Sequence, residues 1–235
     1  MRLGILQPYF FPYVGYFQLI AAVDRFVIYD DVAFIKNGWI NRNRILVPGG
    51  VEYLTIPLSG ASSFHSIRET SCAPPSKWRD KMLRTLSQCY ARAPEKSAGL
   101  GLVEETLAAA TSGTIRDVAV ASLGAVCRYA DLRTDCVETS GSYENTNLSG
   151  QDRVLDICAR ETAGTYVNPS GGRALYDAAA FAARGVTLRF FEPALAAYPQ
   201  SRSSAFVAGL SVLDLIMSVP QADVARHLRD GHAVP

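Results

Sequence analysis

Histidine is scarce in this chain, with three among 235 residues, at His65, His227 and His232. No Ser/His/Asp or Cys/His spacing surrounds them, which argues against a nucleophilic hydrolase of the triad kind. His65 alone falls in a loop that could border a site. The five cysteines, Cys72, Cys89, Cys127, Cys136 and Cys158, are odd in number and form no C-x-x-C pair. That excludes a zinc ribbon or a disulfide framework and predicts reduced thiols in a cytoplasmic protein, with no metal site. Charge is sparse and balanced, 23 Lys and Arg against 22 Asp and Glu, with no basic stripe. Nucleic acid is therefore an unexpected partner, and small molecules fit better. No low-complexity linker divides the chain, so residues 1–235 read as one domain with a substantial core.

A clean hydrophobic span is also missing. The longest early candidate, "LGILQPYFFPYVGYFQLIAAV" (Leu3 to Val23), has the length of a membrane helix, but Pro8 and Pro12 break it and Gln7 and Gln18 would place amides in hydrocarbon. Nor does it resemble the continuous core of a secretory signal. It reads as strand (3–6), turn (7–12) and helix (13–23), and no membrane span is expected.

What is present is an alternation of strands and helices. "DRFVIYDDV" (Asp24 to Val32) has the β-branched and aromatic content of a buried strand and closes a β-α-β unit. Residues 37–58 read as a hairpin turning at Pro48, Gly49 and Gly50, and "SSFHSIRETSCAPPS" as a loop or short edge strand. The middle is helical: Trp78, Met82, Leu86 and Cys89 recur at helical spacing, a short helix follows near 102–110, and Thr114-x-x-Asp117 and Ser149-x-x-Asp152 open two more. A second β-α-β pattern follows, with strand "TYVN", turn "PSGG", helix "RALYDAAAFAARG" and strand "VTLRFFEP". A helix around 206–217 and a short terminal helix are expected last. The fold class is α/β, a mixed sheet with two β-α-β units, a hairpin insertion and a helical middle section.

Three stretches invite a chemical reading. "QPYFFPY" follows the first strand, where open α/β sheets form their ligand crevice, and Asp30 and Asp31 end the second strand on the same rim. Adjacent carboxylates there suit a general base, a hydroxyl-binding group or a metal ligand, or else a solvated turn with one helix cap. In "NRNR", strand alternation puts Arg42 and Arg44 on one face, roughly 6.5 Å apart, a spacing for a diphosphate or for a solvent-facing strand. In "NPSGGRALY", Gly171 and Gly172 precede a helix whose first turn would hold Arg173, a place that an anion would account for.

Taken together, "QPYFFPYVGYFQLI", "FVIYDDVAFIKNGWINRNRI" and "YVNPSGGRALYD", followed by "LSVLDLIM", closely resemble the WbqC-like family of bacterial proteins over nearly the whole chain. Two departures stand out. Pro169 interrupts the family phrase close to "NSIGGRxLY", and Leu6 stands where some members carry histidine before "QP". The resemblance implies a place among O-antigen and other surface-polysaccharide functions, and an aminoacyl (glycyl-type) transferase acting on an amino sugar or related amine. The acceptor would be nucleotide-linked and the donor a thioester on an acyl or peptidyl carrier protein, with no resident cofactor. On that reading the expected catalytic residues are Asp30, Asp31, Asn37, Asn41 and His65. The expected substrate-binding residues are Gln7, Tyr9, Tyr13, Lys36, Trp39, Arg42, Arg44, Ser170, Gly171, Gly172, Arg173 and Tyr176. Two alternatives remain open: a nucleotidyltransferase, with Tyr16 in place of the second histidine of an HxGH motif, and a noncatalytic scaffold. Convergence of Asp30, Asn41, Arg42 and Arg173 on one cleft is expected of the enzyme, dispersal of the scaffold.

Overall fold

The computed structural model describes residues 1–203, 205–230 and 232–234. It opens with β1 (Arg2–Leu6), α1 (Val14–Ala22) and β2 (Arg25–Ile28), the expected β-α-β unit. β3 (Arg42–Val47) and β4 (Gly50–Thr55) form the hairpin, whose register sets Arg44 opposite Tyr53. The short strands β5 (Leu58–Ser59) and β6 (Ser71–Cys72) pair with each other. The helical middle holds α2 (Arg79–Cys89), α3 (Lys96–Ala109) and α4 (Ile115–Tyr129). There follow β7 (Asp135–Val137), α5 (Gly150–Arg160), β8 (Thr165–Pro169), α6 (Ala178–Ala182), β9 (Thr187–Glu192), α7 (Val212–Ser218), α8 (Gln221–His227) and β10 (His232–Val234).

The main sheet runs β10-β9-β8-β1-β2-β7, with β10 antiparallel and the other five strands parallel. Counted in chain order, the parallel strands stand 3-2-1-4-5 from β7 to β9, so the chain reverses direction across the sheet between β1 and β8. Both faces are covered. Leu3 and Ile5 of β1 pack with Val154, Leu155 and Cys158 of α5 and Phe181 of α6. The opposite face packs under Phe17, Leu19 and Ile20 of α1 and Leu123 and Val126 of α4. Burial on both faces is why β1 and β2 read as continuous apolar runs and not as alternating ones. Gly4 lets α1 lie close, since a Cβ there would stand 2.9 Å from Leu19 Cδ2.

Several boundaries differ from the sequence expectations, each for a local reason. α3 begins at Lys96, before 102, because Gly99 gives it close passage over α7: a Cβ there would meet Met217 Cγ at 2.3 Å. After β8 the chain makes a 3-10 stretch over Ser170–Leu175, and α6 starts only where the Asp177 side chain accepts the Ala179 N–H at 2.9 Å. Arg173 is therefore not in the first turn of an α-helix. The segment expected to be helical from 206 stays a loop to Leu210, with Gly209 at φ +69°, and α7 starts after the Ser211 cap. β7 and β10 were not expected. Among the described residues, no helix is long and apolar enough to cross a membrane.

Candidate functional site

In an open parallel sheet the ligand crevice lies beyond the strand carboxyl ends at the point of reversal, here between β1 and β8. The first and third sequence motifs both leave the sheet at this point, and the end of β2 lies beside them on the same rim.

The paired carboxylates on that rim are fully engaged inside the protein. Asp30 is 1% exposed; its Oδ1 accepts from Thr139 Oγ1 at 2.8 Å and the Ser140 N–H at 3.2 Å, and its Oδ2 pairs with Arg116 Nε at 3.0 Å. Asp31 Oδ2 pairs with Arg153 Nη2 at 2.6 Å, and its Oδ1 accepts from the Ser140 hydroxyl. Burial works against ionisation of Asp31, but the hydrogen bonds from Arg153 and Ser140 outweigh it and hold the carboxyl below the usual aspartate range. Neither residue borders either of the two pockets beside the hairpin. Their arrangement ties β2 to α4, α5 and the chain after β7.

The third motif is likewise structural in its details. A Cβ at Gly172 would sit 2.2 Å from Asn168 Nδ2, so this glycine makes room for a buried amide. Gly171 and Ser170 lie in the 3-10 stretch, and Tyr176 sets its hydroxyl 3.3 Å from that of the buried Tyr166 and its ring edge-on to Phe181. Arg173 stacks over Phe190, 4.4 Å from the ring centroid, with Glu192 at 3.9 Å. Gln7 is half-buried, and its carbonyl accepts the Tyr16 hydroxyl at 2.8 Å. That bond occupies the position at which a nucleotidyltransferase would present its second histidine. His65 is exposed, and its carbonyl accepts the Phe34 N–H at 2.9 Å.

The remaining predicted residues gather around the hairpin, in two pockets on either side of the segment that leads into β3. One is a cleft of about 360 Å³ lined by Lys36, Asn37, Asn41 and Arg42 together with Phe34, Thr55, Ile56 and Pro57. No acidic residue lines it. Arg42 donates to the Gly38 carbonyl at 3.1 Å and to the Asn37 carbonyl, and Asn41 Nδ2 donates to the Ile56 carbonyl at 2.9 Å. The Lys36 ammonium and the Asn37 amide have no partner among the described residues.

The other pocket, about 200 Å³, is walled by Tyr9, Pro12 and Tyr13 of the first motif, Trp39, and Asn43 and Arg44 of β3, and is closed by Gly209. Strand alternation put Arg42 and Arg44 on one face as expected, yet they serve different pockets. Arg42 lies 4.2 Å above the Tyr53 ring and Arg44 5.7 Å above Trp39, and the two rings touch, with centroids 6.0 Å apart. The two guanidinium groups are thus linked through a pair of rings in contact, in the order Arg42, Tyr53, Trp39, Arg44.

The aromatic wall is set by an uncommon backbone. Phe11, wholly buried, has φ +39°, a conformation that costs an aromatic residue about 1–3 kcal/mol. Three side chains fix it: Ser122 Oγ accepts its N–H at 3.0 Å, while Asn43 Nδ2 at 3.0 Å and Ser211 Oγ at 2.8 Å donate to its carbonyl. Asn43 therefore builds the pocket and is unavailable to a ligand. Burial raises the Tyr9 and Tyr13 hydroxyls above the ordinary phenol value, so both remain neutral donors. Gly209, Tyr53 and Asn43 were not among the expected site residues. Tyr53 was accessible to it, because the turn at residues 48–50 fixes the register that sets it opposite Arg44. Among the described residues no group of three or more His, Cys, Asp or Glu is placed to hold a metal ion.

Comparison with known proteins agrees with the motifs. No solved structure matches the chain significantly. A relative, the uncharacterized protein Rv1507c of Mycobacterium tuberculosis, is 28% identical over 236 aligned residues, covering 93% of this chain and 94% of its own. The WbqC-like protein family model matches residues 7–226, a span that takes in the rim, the hairpin and both pockets. This chain belongs to the WbqC-like protein family.

Proposed function

We propose that this chain is a cytoplasmic transferase that moves an acyl group, of the aminoacyl or glycyl type, from a carrier-bound thioester to the amine of a nucleotide-linked amino sugar in surface-polysaccharide or natural-product biosynthesis. The observation that carries the reading is the cleft beside the hairpin, where Lys36, Asn37, Asn41 and Arg42 face one open space with no acidic neighbour. Such a cleft suits a phosphate-bearing substrate and a developing oxyanion. A neutral amine attacks a thioester carbonyl without a strong base: the C–N bond forms, the C–S bond breaks, and the departing thiolate takes up the amine's proton through solvent. The side chains of Lys36 and Asn37, which have no partner among the described residues, stabilise the oxyanion of the tetrahedral intermediate in this scheme. The test is mass-spectrometric turnover of nucleotide-linked amino sugars with aminoacyl thioesters. One aminoacyl mass is gained by the acceptor, and Lys36→Ala with Asn37→Ala lowers the rate by about 10²-fold. Unchanged turnover in that double variant would remove the cleft from the reaction.

A second reading, a noncatalytic binding protein of the same pathway, is favoured by one arrangement. Asp30 is closed off by Arg116 and Ser140, and Arg173 lies against Phe190, so the four residues expected to converge do not. Binding of nucleotide-linked sugar without turnover of any thioester would make this reading the leading one.

A further inference from the structure

The pocket on the Trp39 side of the segment that leads into β3 has a property that the acyl-transfer reading does not use. Four buried side-chain polar atoms among the described residues lack a hydrogen-bond partner, and Arg44 Nε is the one beside a described pocket. Its Nη2 donates to the Gly209 carbonyl at 2.8 Å, but no carboxylate among the described residues pairs with the guanidinium. Gly209 is matched to this contact: it stands at φ +69°, and a Cβ there would lie 2.9 Å from Arg44 Nη2. A half-buried guanidinium with no carboxylate partner is uncommon in a native protein, and an anion arriving in the pocket that Arg44 lines supplies the missing counter-charge. The surrounding wall is Tyr9, Tyr13, Trp39 and Pro12, flat surfaces that stack on a planar or sugar ring. The fixed turn at Phe11 holds that wall in place before any ligand arrives.

We propose that this pocket is a binding site for a small molecule in which a ring carries one anionic group, a phosphate or a carboxylate, with the ring against Tyr13 and Trp39 and the anionic group against the Arg44 guanidinium. The site is separate from the Lys36–Arg42 cleft and does not depend on acyl transfer.

Trp39 reports directly on it. The chain has two tryptophans, and Trp78 is only 7% exposed, with its indole N–H on the Ala73 carbonyl at 2.8 Å. Tryptophan fluorescence is titrated with phenyl phosphate, benzoate, glucosamine 1-phosphate and the uncharged phenol. At least one anion saturates the quenching and binds about tenfold or more tightly than phenol, and which anion does so assigns phosphate or carboxylate. Arg44→Gln removes that advantage while Arg184→Gln, an exposed arginine after α6 on the other face of the sheet, leaves it intact. Gly209→Ala, which crowds the guanidinium off its carbonyl partner, weakens anion binding as well, and serves if Arg44→Gln does not fold. Equal binding of phenol and the anions, undiminished anion binding in folded Arg44→Gln or Gly209→Ala protein, or no quenching by any anion at millimolar concentration overturns the proposal. Turnover plays no part in these readouts, so failure of the transferase reading and failure of this one are distinguishable.

Discussion

The aspartates at the end of β2 and the aspartate of α7 are buried to similar depth and held in opposite ways. Asp30 and Asp31 each have an arginine, Arg116 and Arg153, and a hydroxyl donor, and Asp30 has the Ser140 N–H besides. Among the described residues Asp214, 0% exposed, has only neutral side-chain donors: the Tyr90 hydroxyl at 2.9 Å, the Tyr198 hydroxyl at 2.9 Å and Gln200 Nε2 at 2.8 Å. Arginine pairing lowers the Asp31 carboxyl against the pull of burial, whereas burial prevails at Asp214 and raises it. The difference follows from what each centre joins. The first welds the sheet rim to α4 and α5 through cations reaching in from those helices. The second sits in an apolar layer and organises residues 198–210, the loop that delivers Gly209 to the Arg44 pocket.

Removing a cation from the first centre sharpens this contrast most. Arg153 is 4% exposed on its side chain, pairs with Asp31, and donates from Nε to Asn145 Oδ1 at 2.9 Å. Arg153→Met keeps comparable volume and leaves Asp31 as a buried charge without a cation, held by the Ser140 hydroxyl alone, so chemical denaturation should show a loss of about 3–5 kcal/mol. A loss under about 1 kcal/mol would mean that the rim relaxes to admit water and that the pair is no structural anchor.

At the second centre the loss is smaller, because no charge is stranded. Asp214→Ala orphans two phenols and an amide and is expected to cost about 2–3 kcal/mol, while Asp214→Asn, which keeps an acceptor oxygen, costs about 1 kcal/mol. Because Gln200 also accepts the Val207 N–H at 2.8 Å, the alanine variant should loosen the Gly209 side of the pocket and weaken anion binding there more than the asparagine variant does. Equal destabilisation by both variants would show that the ionised carboxylate itself holds the network.

How much of this was legible in the sequence depends on the range of the interaction. β1, α1 and β2, the hairpin, and the Thr114 cap of α4, whose hydroxyl accepts the Asp117 N–H at 3.3 Å, are encoded locally and were readable. β7 was not, because three residues, "DCV", carry no periodicity, and their strand character comes from pairing with β2. The helix after β8 was placed too early. The Asp177 cap is a local signal, but the alanine-rich run around it masked the boundary. The motif residues were legible, and the partners that surround them were not. Asp30 meets partners 86 and 109 residues away, and the glycine beside Asn168 makes room for that amide. A polar pair at a strand end thus reads as chemistry, and only tertiary contacts show that its valences are filled.

The smallest expected effect is also the most specific, because the two centres should respond to pH with opposite signs. Asp31 has a folded value below its unfolded one, so the stability that it contributes is fully present above the unfolded aspartate range, about 3.9, and is lost as pH falls through the lower folded value. Asp214 has a folded value above its unfolded one. Its ionisation therefore penalises the fold progressively as pH rises from about 3.9 to the folded value, and the penalty is constant beyond it. Referenced to Asp31→Asn, wild-type stability should decline on acidification below about 3.9; referenced to Asp214→Asn, it should improve on acidification toward that value. Each slope is bounded at about 1.4 kcal/mol per pH unit, the contribution of one proton. Subtracting the variants cancels other titrating groups, including His227, whose ring stands edge-on to Tyr198 and whose value burial lowers. Slopes of the same sign in the two differences would mean that Asp214 draws compensation from a cation after all, and that the two centres are variants of one design.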